Sequence, residues 1–175
     1  MKIKLIFIII CGLGLMAFMP NPKLDKKVDK ALVKFFETDQ VSKEMMSLSP
    51  EEIKNLPADF HERLYTINVA NEHEGYVYVG NAPSKTATFD YMIVFDKDYI
   101  ITQSKVLIYR EEYGGEIGSK RWLKQFIDKD TSSEKLVYGD NISAISGATI
   151  SVRSMTNAIN DVLASLNVLI ENGTL

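Results

Sequence analysis

Four short runs of strand type, between residues 64 and 110, constrain the fold of this chain more than any other feature. They are rich in β-branched and aromatic residues and cover residues 64–70, 76–79, 87–95 and 99–110. The breaks between them are short and contain Gly, Asn, Asp or Pro, which leaves no room for the crossover helix that parallel strands need. The third and fourth runs, joined by Asp96-Lys97-Asp98, are the best hairpin candidate. The sequence therefore predicts an antiparallel meander.

A long amphipathic helix is predicted near the C-terminus. From Val152 to Leu169 the apolar residues recur at steps of three and four, which is the spacing of one helical face. Asn172-Gly173 then supplies a left-handed stop.

Shorter elements complete the predicted fold. The sequence Ser49-Pro50-Glu51-Glu52 is typical of a helix start with a capping box, and the Met-rich stretch before it is interpreted as a connector. Further helices are predicted over residues 23–36 and 119–127, and a brief strand over residues 136–138. The predicted fold class is α+β, an antiparallel sheet meander packed with helices, with the long C-terminal helix after a Ser-Gly-Ala-Thr turn.

The N-terminal residues 1–19 differ from the rest of the chain. Lys2 and Lys4 precede an apolar run that ends before Pro20, which is typical of an export signal. The run is shorter than the ~20 apolar residues of a membrane-spanning helix, and both cleavage and retention as an N-terminal membrane anchor stay open. The predicted organisation is residues 1–19 as signal or anchor, 20–62 as a helical N-terminal segment and 63–175 as the main domain.

Charge and residue usage exclude several classes of function. The net charge is −3 with no basic run outside the N-terminus, so nucleic acid is not an expected partner. Cys11, the only cysteine, lies in the apolar N-terminal run, so cysteine chemistry is excluded from the remainder. The two histidines, His61 and His73, have no metal-ligand spacing and support no catalytic triad. We assign no catalytic residue and no metal site, and we interpret Glu111, with the glutamates that follow it, as solvated charge.

The start of the long helix is the best candidate binding site. Ser146-Gly147-Ala148 forms a small-residue turn, and Thr149 or Ser151 is placed to cap the helix, with Ile150 between them. The first N–H groups of a helix lack partners, and together with the helix dipole they favour an anion such as phosphate. The alternative is an ordinary helix cap without a ligand.

A glycine-rich loop is the second candidate region. Gly114, Gly115 and Gly118 fall within six residues, with Glu116 among them, and glycines allow a ligand to approach the backbone closely. Trp122 follows this loop. It is interpreted either as a core residue or as a stacking partner for an aromatic ligand.

The sequence Ser-Gly-Ala-Thr-x-Ser, late in an exported α+β domain, resembles the FMN-binding domain family. Members include the flavin-carrying subunits of the Na⁺-translocating NADH:quinone oxidoreductase and of Rnf complexes. The segment 106–116, a strand followed by the glycine loop, is also similar to the family, and the likeness extends over residues 75–169. The family commonly carries an aspartate six residues before the motif threonine, where this chain has Ser143.

The resemblance implies a function and a set of site residues. Residues 63–175 would be the FMN-binding domain, with FMN joined through a phosphoester to Thr149 by a flavin transferase that uses FAD and Mg²⁺. The cofactor-binding residues would be Ser146, Gly147, Ala148, Thr149, Ile150, Ser151, Gly114, Gly115, Glu116 and Trp122.

The expected protein is an electron-transfer flavoprotein rather than a substrate-transforming enzyme. It would be periplasmic or anchored to the outer face of the cytoplasmic membrane, and it would exchange electrons with membrane or periplasmic redox proteins. Two alternatives stay open, a non-covalent FMN-binding module and a cofactor-free exported interaction domain. The sequence gives no electron donor, acceptor, reduction potential or oligomeric state.

Overall fold

A computed structural model describes residues 22–175 of the chain. The predicted export signal or anchor, residues 1–19, lies outside the described residues. Within residues 22–175, no helix has the length and apolar character needed to cross a membrane.

The centre of the fold is a five-stranded antiparallel sheet whose strands follow one another in sequence order. Its strands are β1 (Val41–Met45), β2 (Leu64–Val69), β3 (Glu72–Pro83), β4 (Thr88–Phe95) and β5 (Ile101–Ile108). Every neighbouring pair is antiparallel, so the predicted meander is confirmed, and β1 and β5 are the two edges of the sheet.

Two parts of the sheet differ from the sequence prediction. Residues 41–45 form β1, so the connector interpretation of this stretch is wrong. β3 is much longer than the predicted run 76–79 because the segments on both sides of it, interpreted as breaks, continue the ladder with β2 and β4. Its long pairing with β4 runs from Tyr76 opposite Phe95 to Pro83 opposite Thr88.

The helices lie on both faces of the sheet. They are α1 (Pro22–Phe36), α2 (Pro50–Ile53), α3 (Lys120–Leu123) and α4 (Thr149–Glu171). The predicted capping box of Ser49 and Glu52 is present at the start of α2. The predicted helix 119–127 is α3 followed by a 3₁₀ turn over residues 124–126, and the brief strand predicted at 136–138 is reduced to a single bridge between Tyr138 and Ile142.

The sheet separates two apolar layers. On one face α1 buries Val28 and Leu32 against strand residues such as Met92. On the other face α4 buries its periodic apolar residues against the alternate strand positions, which include Ile93 and Phe95. The α+β fold class, with a long C-terminal helix after the Ser-Gly-Ala-Thr turn, is confirmed.

Candidate functional site

Helix α4 begins without a capping side chain. Thr149 is its first residue, and Ala148 occupies the N-cap position and makes no side-chain hydrogen bond. The prediction that Thr149 or Ser151 caps this helix is therefore wrong. Within residues 22–175 the backbone N–H groups of Thr149, Ile150 and Ser151 donate to no acceptor, whereas Ser49 and Ser119 cap α2 and α3.

The turn before α4 is open to solvent. Gly147 has φ +79°, and a Cβ built on it would meet no heavy atom within 4 Å. Glycine is therefore required here by the left-handed backbone rather than by a close neighbour. Ser146 and Thr149 are exposed, and Ile150 is 49% exposed, so a solvent-side ligand can reach the Thr149 hydroxyl and the first residues of the helix.

The glycine loop contacts this helix start directly. Gly114 has φ +80°, and a Cβ added to it would lie 2.9 Å from the Cβ of Ala148 and 3.0 Å from the Tyr109 hydroxyl. The two candidate regions of the sequence are thus brought together in space. Gly115 has open space around it, and Glu116, in the 3₁₀ turn Gly115–Gly118, is exposed.

Tyr109 is a residue of this arrangement that the sequence reasoning missed. Its hydroxyl donates to the carbonyl oxygen of Tyr113, at 2.9 Å, and lies 3.1 Å from Oγ of Ser151. Because the tyrosine hydroxyl has a single hydrogen, Ser151 is the donor in the second bond. Ser151 is 3% exposed, and as the third residue of α4 it lies inside the helix rather than at the N-cap position. The signal for Tyr109 was its position directly after β5 and five residues before Gly114 of the glycine loop.

Trp122 and the segment before the motif form a packed support. Trp122 is 5% exposed, its indole N–H donates to the Ser143 carbonyl oxygen at 2.8 Å, and its ring meets Phe126 edge to face. The Ser143 N–H donates to Oε1 of Gln125 at 2.7 Å. Trp122 is therefore a core residue that fixes the chain leading into the turn, and its contact with a flavin stays a prediction.

Two further side chains that the sequence reasoning missed lie on the solvent side of the α4 start. The Tyr138 hydroxyl is 3.5 Å from Oγ1 of Thr149. The Arg153 guanidinium lies 4.8 Å from the centroid of the Tyr138 ring, within the range of a cation–π contact. Arg153 follows Thr149 by four residues, and this helical spacing was the available signal. An exposed cation is therefore positioned near the uncapped helix start.

Glu111 is an anchor of the neighbouring loop rather than merely a solvated charge. Its carboxylate accepts hydrogen bonds from the hydroxyls of Ser84 and Thr86 and from the N–H groups of Thr86 and Ala87, at 2.6 to 3.1 Å. These bonds lower the pKa of Glu111 to about 2. They hold the turn between β3 and β4 against the chain that leaves β5 for the glycine loop.

Comparison with known proteins supports the family resemblance. The family model described as FMN-binding domain matches residues 85–164, a segment that contains both the glycine loop and the Ser-Gly-Ala-Thr turn. The crystal structure of Shewanella oneidensis NqrC is similar, with a TM-score of 0.53 and 14% sequence identity. The alignment covers 79% of this chain and 91% of that chain, and at this identity the likeness concerns the fold. No curated protein sequence matches this chain significantly.

The family match and the fold agree on the same part of the molecule. The matched segment begins next to the turn held by Glu111 and ends within α4. It includes the open turn at Gly147 and the loop residue Gly114 that packs against it. The model of the FMN-binding domain family therefore matches residues 85–164, and this match confirms the resemblance seen in the sequence.

Proposed function

We propose that this protein is an extracytoplasmic electron carrier that holds FMN through a phosphoester bond to Thr149. The observation that carries the proposal is the start of α4, where an exposed threonine hydroxyl stands beside three backbone N–H groups without acceptors. The family match supports FMN as the cofactor. The covalent bond, the location and the redox partners are parts of the proposal.

The residues at the α4 start fit a phosphate group. The N–H groups of residues 149–151, together with the helix dipole, stabilise an exposed anion by about 0.3–1 kcal/mol. Ser146 is exposed in the turn and offers a hydroxyl donor. Arg153, one helical turn further on, adds positive charge on the solvent side. Gly147 leaves the approach free of any side chain.

The attachment step transfers FMN from FAD, with a flavin transferase and Mg²⁺ as the family resemblance implies. The oxygen of Thr149 forms a bond to the phosphorus of the FMN moiety, and the P–O bond that joins this moiety to AMP breaks. AMP leaves, and the hydroxyl proton passes to a base of the transferase. Thr149 is suited to this step because its side chain is exposed at the first position of the helix.

The protein's own contribution to electron transfer is to hold and orient the cofactor. Bound FMN supplies one- and two-electron redox chemistry. Gly114 and Tyr109 fix the glycine loop against the helix start, so that the ring would be bordered by a defined surface. The open setting of Thr149 suits exchange of electrons with a membrane or periplasmic protein. The extracytoplasmic location rests on the predicted export segment at residues 1–19.

A non-covalent FMN-binding module is the second candidate. One specific observation favours it, because Ser143 stands where the family commonly has an aspartate and its backbone is already engaged by Trp122 and Gln125. In this case Thr149 would bind the phosphate without forming an ester. A cofactor-free interaction domain is the third candidate.

Co-expression of the full chain with a flavin transferase, followed by a denaturing gel viewed by flavin fluorescence, tests the proposal. We expect a fluorescent band on the intact chain that disappears with Thr149→Val and persists with the matched control Thr131→Val, at a threonine outside the proposed site. The variant Ser143→Asp restores the aspartate that is common in the family. Stronger labelling of this variant would show that the transferase recognises the residue at this position. If neither the native chain nor Ser143→Asp gives a fluorescent band, but the folded protein binds FMN in a titration, the covalent carrier is refuted. The non-covalent module is then the better description. No binding in either assay would leave the cofactor-free domain.

A further inference from the structure

A groove lies along the β5 edge of the sheet, and none of the residues assigned to the flavin site lines it. It follows β5 and lies between α1 and α3, with a volume of about 420 Å³. β5 is the last strand of the sheet, so one side of its backbone has no neighbouring strand. We call this feature the β5 groove, and residues 102–106 form its base.

The walls of the β5 groove are positively charged. Lys34 projects from α1, Lys105 from β5, and Lys120 and Lys124 from α3 and the turn after it, while no Asp or Glu lines the groove. The ion pairs among residues 22–175 involve other cations. This cluster is uncompensated although the chain as a whole has a net charge of −3.

The pKa of Lys105 reflects its burial and the positive charge that surrounds it in the groove. Burial lowers its pKa, and the positive charges of Lys34, Lys120 and two further α1 lysines lower it as well. Each of these causes disfavours its ammonium form in the free protein. The negative charge of an anionic ligand in the groove would offset the repulsion between the lysines.

The base of the groove has unused hydrogen-bonding groups beside apolar side chains. Oε1 of Gln103 is buried and accepts no hydrogen bond. At the start of β5, Ile101 pairs with the segment 128–129 through bonds of 2.8 and 2.9 Å. Beyond this point, within the described part of the chain, residues 102–106 have no backbone partner on the outer side of the strand. Phe35 and Leu123 add apolar surface on the two walls.

We propose that the β5 groove binds an extended acidic segment of a protein partner, which adds to the sheet as a strand beside β5. Strand addition at an open edge gives affinity through backbone hydrogen bonds and specificity through side chains. Successive side chains of a strand point to opposite faces, so neighbouring acidic residues would reach different walls. Lys34 and Lys105 lie on the α1 side, since Lys105 is paired with Met92 of that layer, and Lys120 and Lys124 lie on the α3 side.

The shape of the groove favours a peptide over a lipid surface. A flat layer of anionic headgroups would meet the outer rims of the two walls, whereas a strand between them contacts lysines on both sides and the open backbone edge. The segment 128–129, which already pairs with Ile101, sets the position at which an added strand would stop. The proposal does not depend on flavin attachment at Thr149.

Fluorescence anisotropy with the full chain in a neutral detergent tests the proposal, with a labelled peptide of repeated Glu-Glu-Val-Val as the probe. We expect binding that weakens as salt is added and that falls about tenfold in the triple variant Lys34→Gln, Lys105→Gln, Lys124→Gln, since each ion pair contributes modestly. The matched control is Lys54→Gln, Lys85→Gln, Lys135→Gln, which removes the same charge from exposed lysines outside the groove. We expect the control to bind as the native chain does.

Hydrogen exchange separates strand addition from diffuse attraction between charges. We expect the peptide to slow amide exchange within residues 102–106, and we expect a Lys-Lys-Val-Val peptide to have no effect. Equal loss of affinity in both triple variants, or binding without protection of β5, would overturn the proposal. Groove-dependent binding to micelles containing phosphatidylglycerol, with no binding of the acidic peptide, would replace it by a lipid-binding surface. We would repeat these measurements on chains with and without flavin. Because peptide binding is expected in both, failure of the groove proposal can be told apart from failure of the flavin proposal.

Discussion

Replacement of Gly114 by alanine tests whether the glycine loop is held against the α4 start by close packing. Gly114 and Gly139 have nearly the same positive φ angle, +80° and +82°, so an alanine at either position costs about 1–2 kcal/mol in left-handed strain. A Cβ on Gly139 meets nothing within 4 Å, but one on Gly114 lies 2.9 Å from the Cβ of Ala148. This collision adds about 1–3 kcal/mol of overpacking at Gly114 only. We expect Gly114→Ala to lower the free energy of unfolding by about 2–5 kcal/mol, clearly more than Gly139→Ala.

Urea denaturation of the two variants and of the native chain measures these differences. A second comparison isolates the contact, because Ala148→Gly removes the methyl group that the new side chain would meet. The double variant Gly114→Ala, Ala148→Gly should lose less stability than the sum of its parts, with a coupling of about 1 kcal/mol. Equal losses for Gly114→Ala and Gly139→Ala would refute the reasoning, since they would mean that only the backbone strain matters at this position.

Two further predictions concern the supports of the site. Tyr109→Phe removes the hydroxyl that joins the loop to α4 and should lower the free energy of unfolding by about 1 kcal/mol, whereas Tyr113→Phe, at a residue 80% exposed, should leave the urea midpoint unchanged. For Glu111, the pKa of about 2 in the folded chain lies below the ordinary 4.5, so its stabilisation is fully present above pH 4.5 and is lost as the pH falls towards 2. Thermal unfolding of Glu111→Gln should therefore occur below that of the native chain at pH 7, and the two should converge near pH 2; a gap independent of pH would contradict this assignment.

The periodic elements of the fold were predictable because their signal is local. The apolar spacing of α4 and the β-branched runs of β4 and β5 specify which face is buried, whatever packs against them. The capping box at Ser49 is equally local and was predicted residue by residue. The open backbone of the Ser-Gly-Ala-Thr turn could be predicted because small residues stand before the long helix, and its role as a binding site stays a prediction.

Other features depend on distant partners and were missed. β1 is short and polar, and Lys43 within it is held by Asp29 of α1 at 2.6 Å. Gly80 was interpreted as part of a break between strands, yet it lies inside β3 opposite Tyr91. A glycine stands there because the ring of Tyr91 occupies the space that a side chain would need. Ser151 lies inside α4, where its buried hydroxyl bonds to Tyr109, a residue far away in sequence. In each case a tertiary contact overrides the local preference.

The meander has a consequence for the order in which the molecule is completed. Strands β1 to β5 pair only with their sequence neighbours, so the sheet can assemble from hairpins while the chain is still growing. One of its apolar faces, however, is covered by α4, which follows all five strands in the chain. Until residues 149–171 pack against that face, its apolar side chains are exposed, and the chain can aggregate or bind chaperones. The helix that covers this face also carries Thr149 at its first position, so the place of Thr149 beside the glycine loop is set only when α4 packs on the sheet.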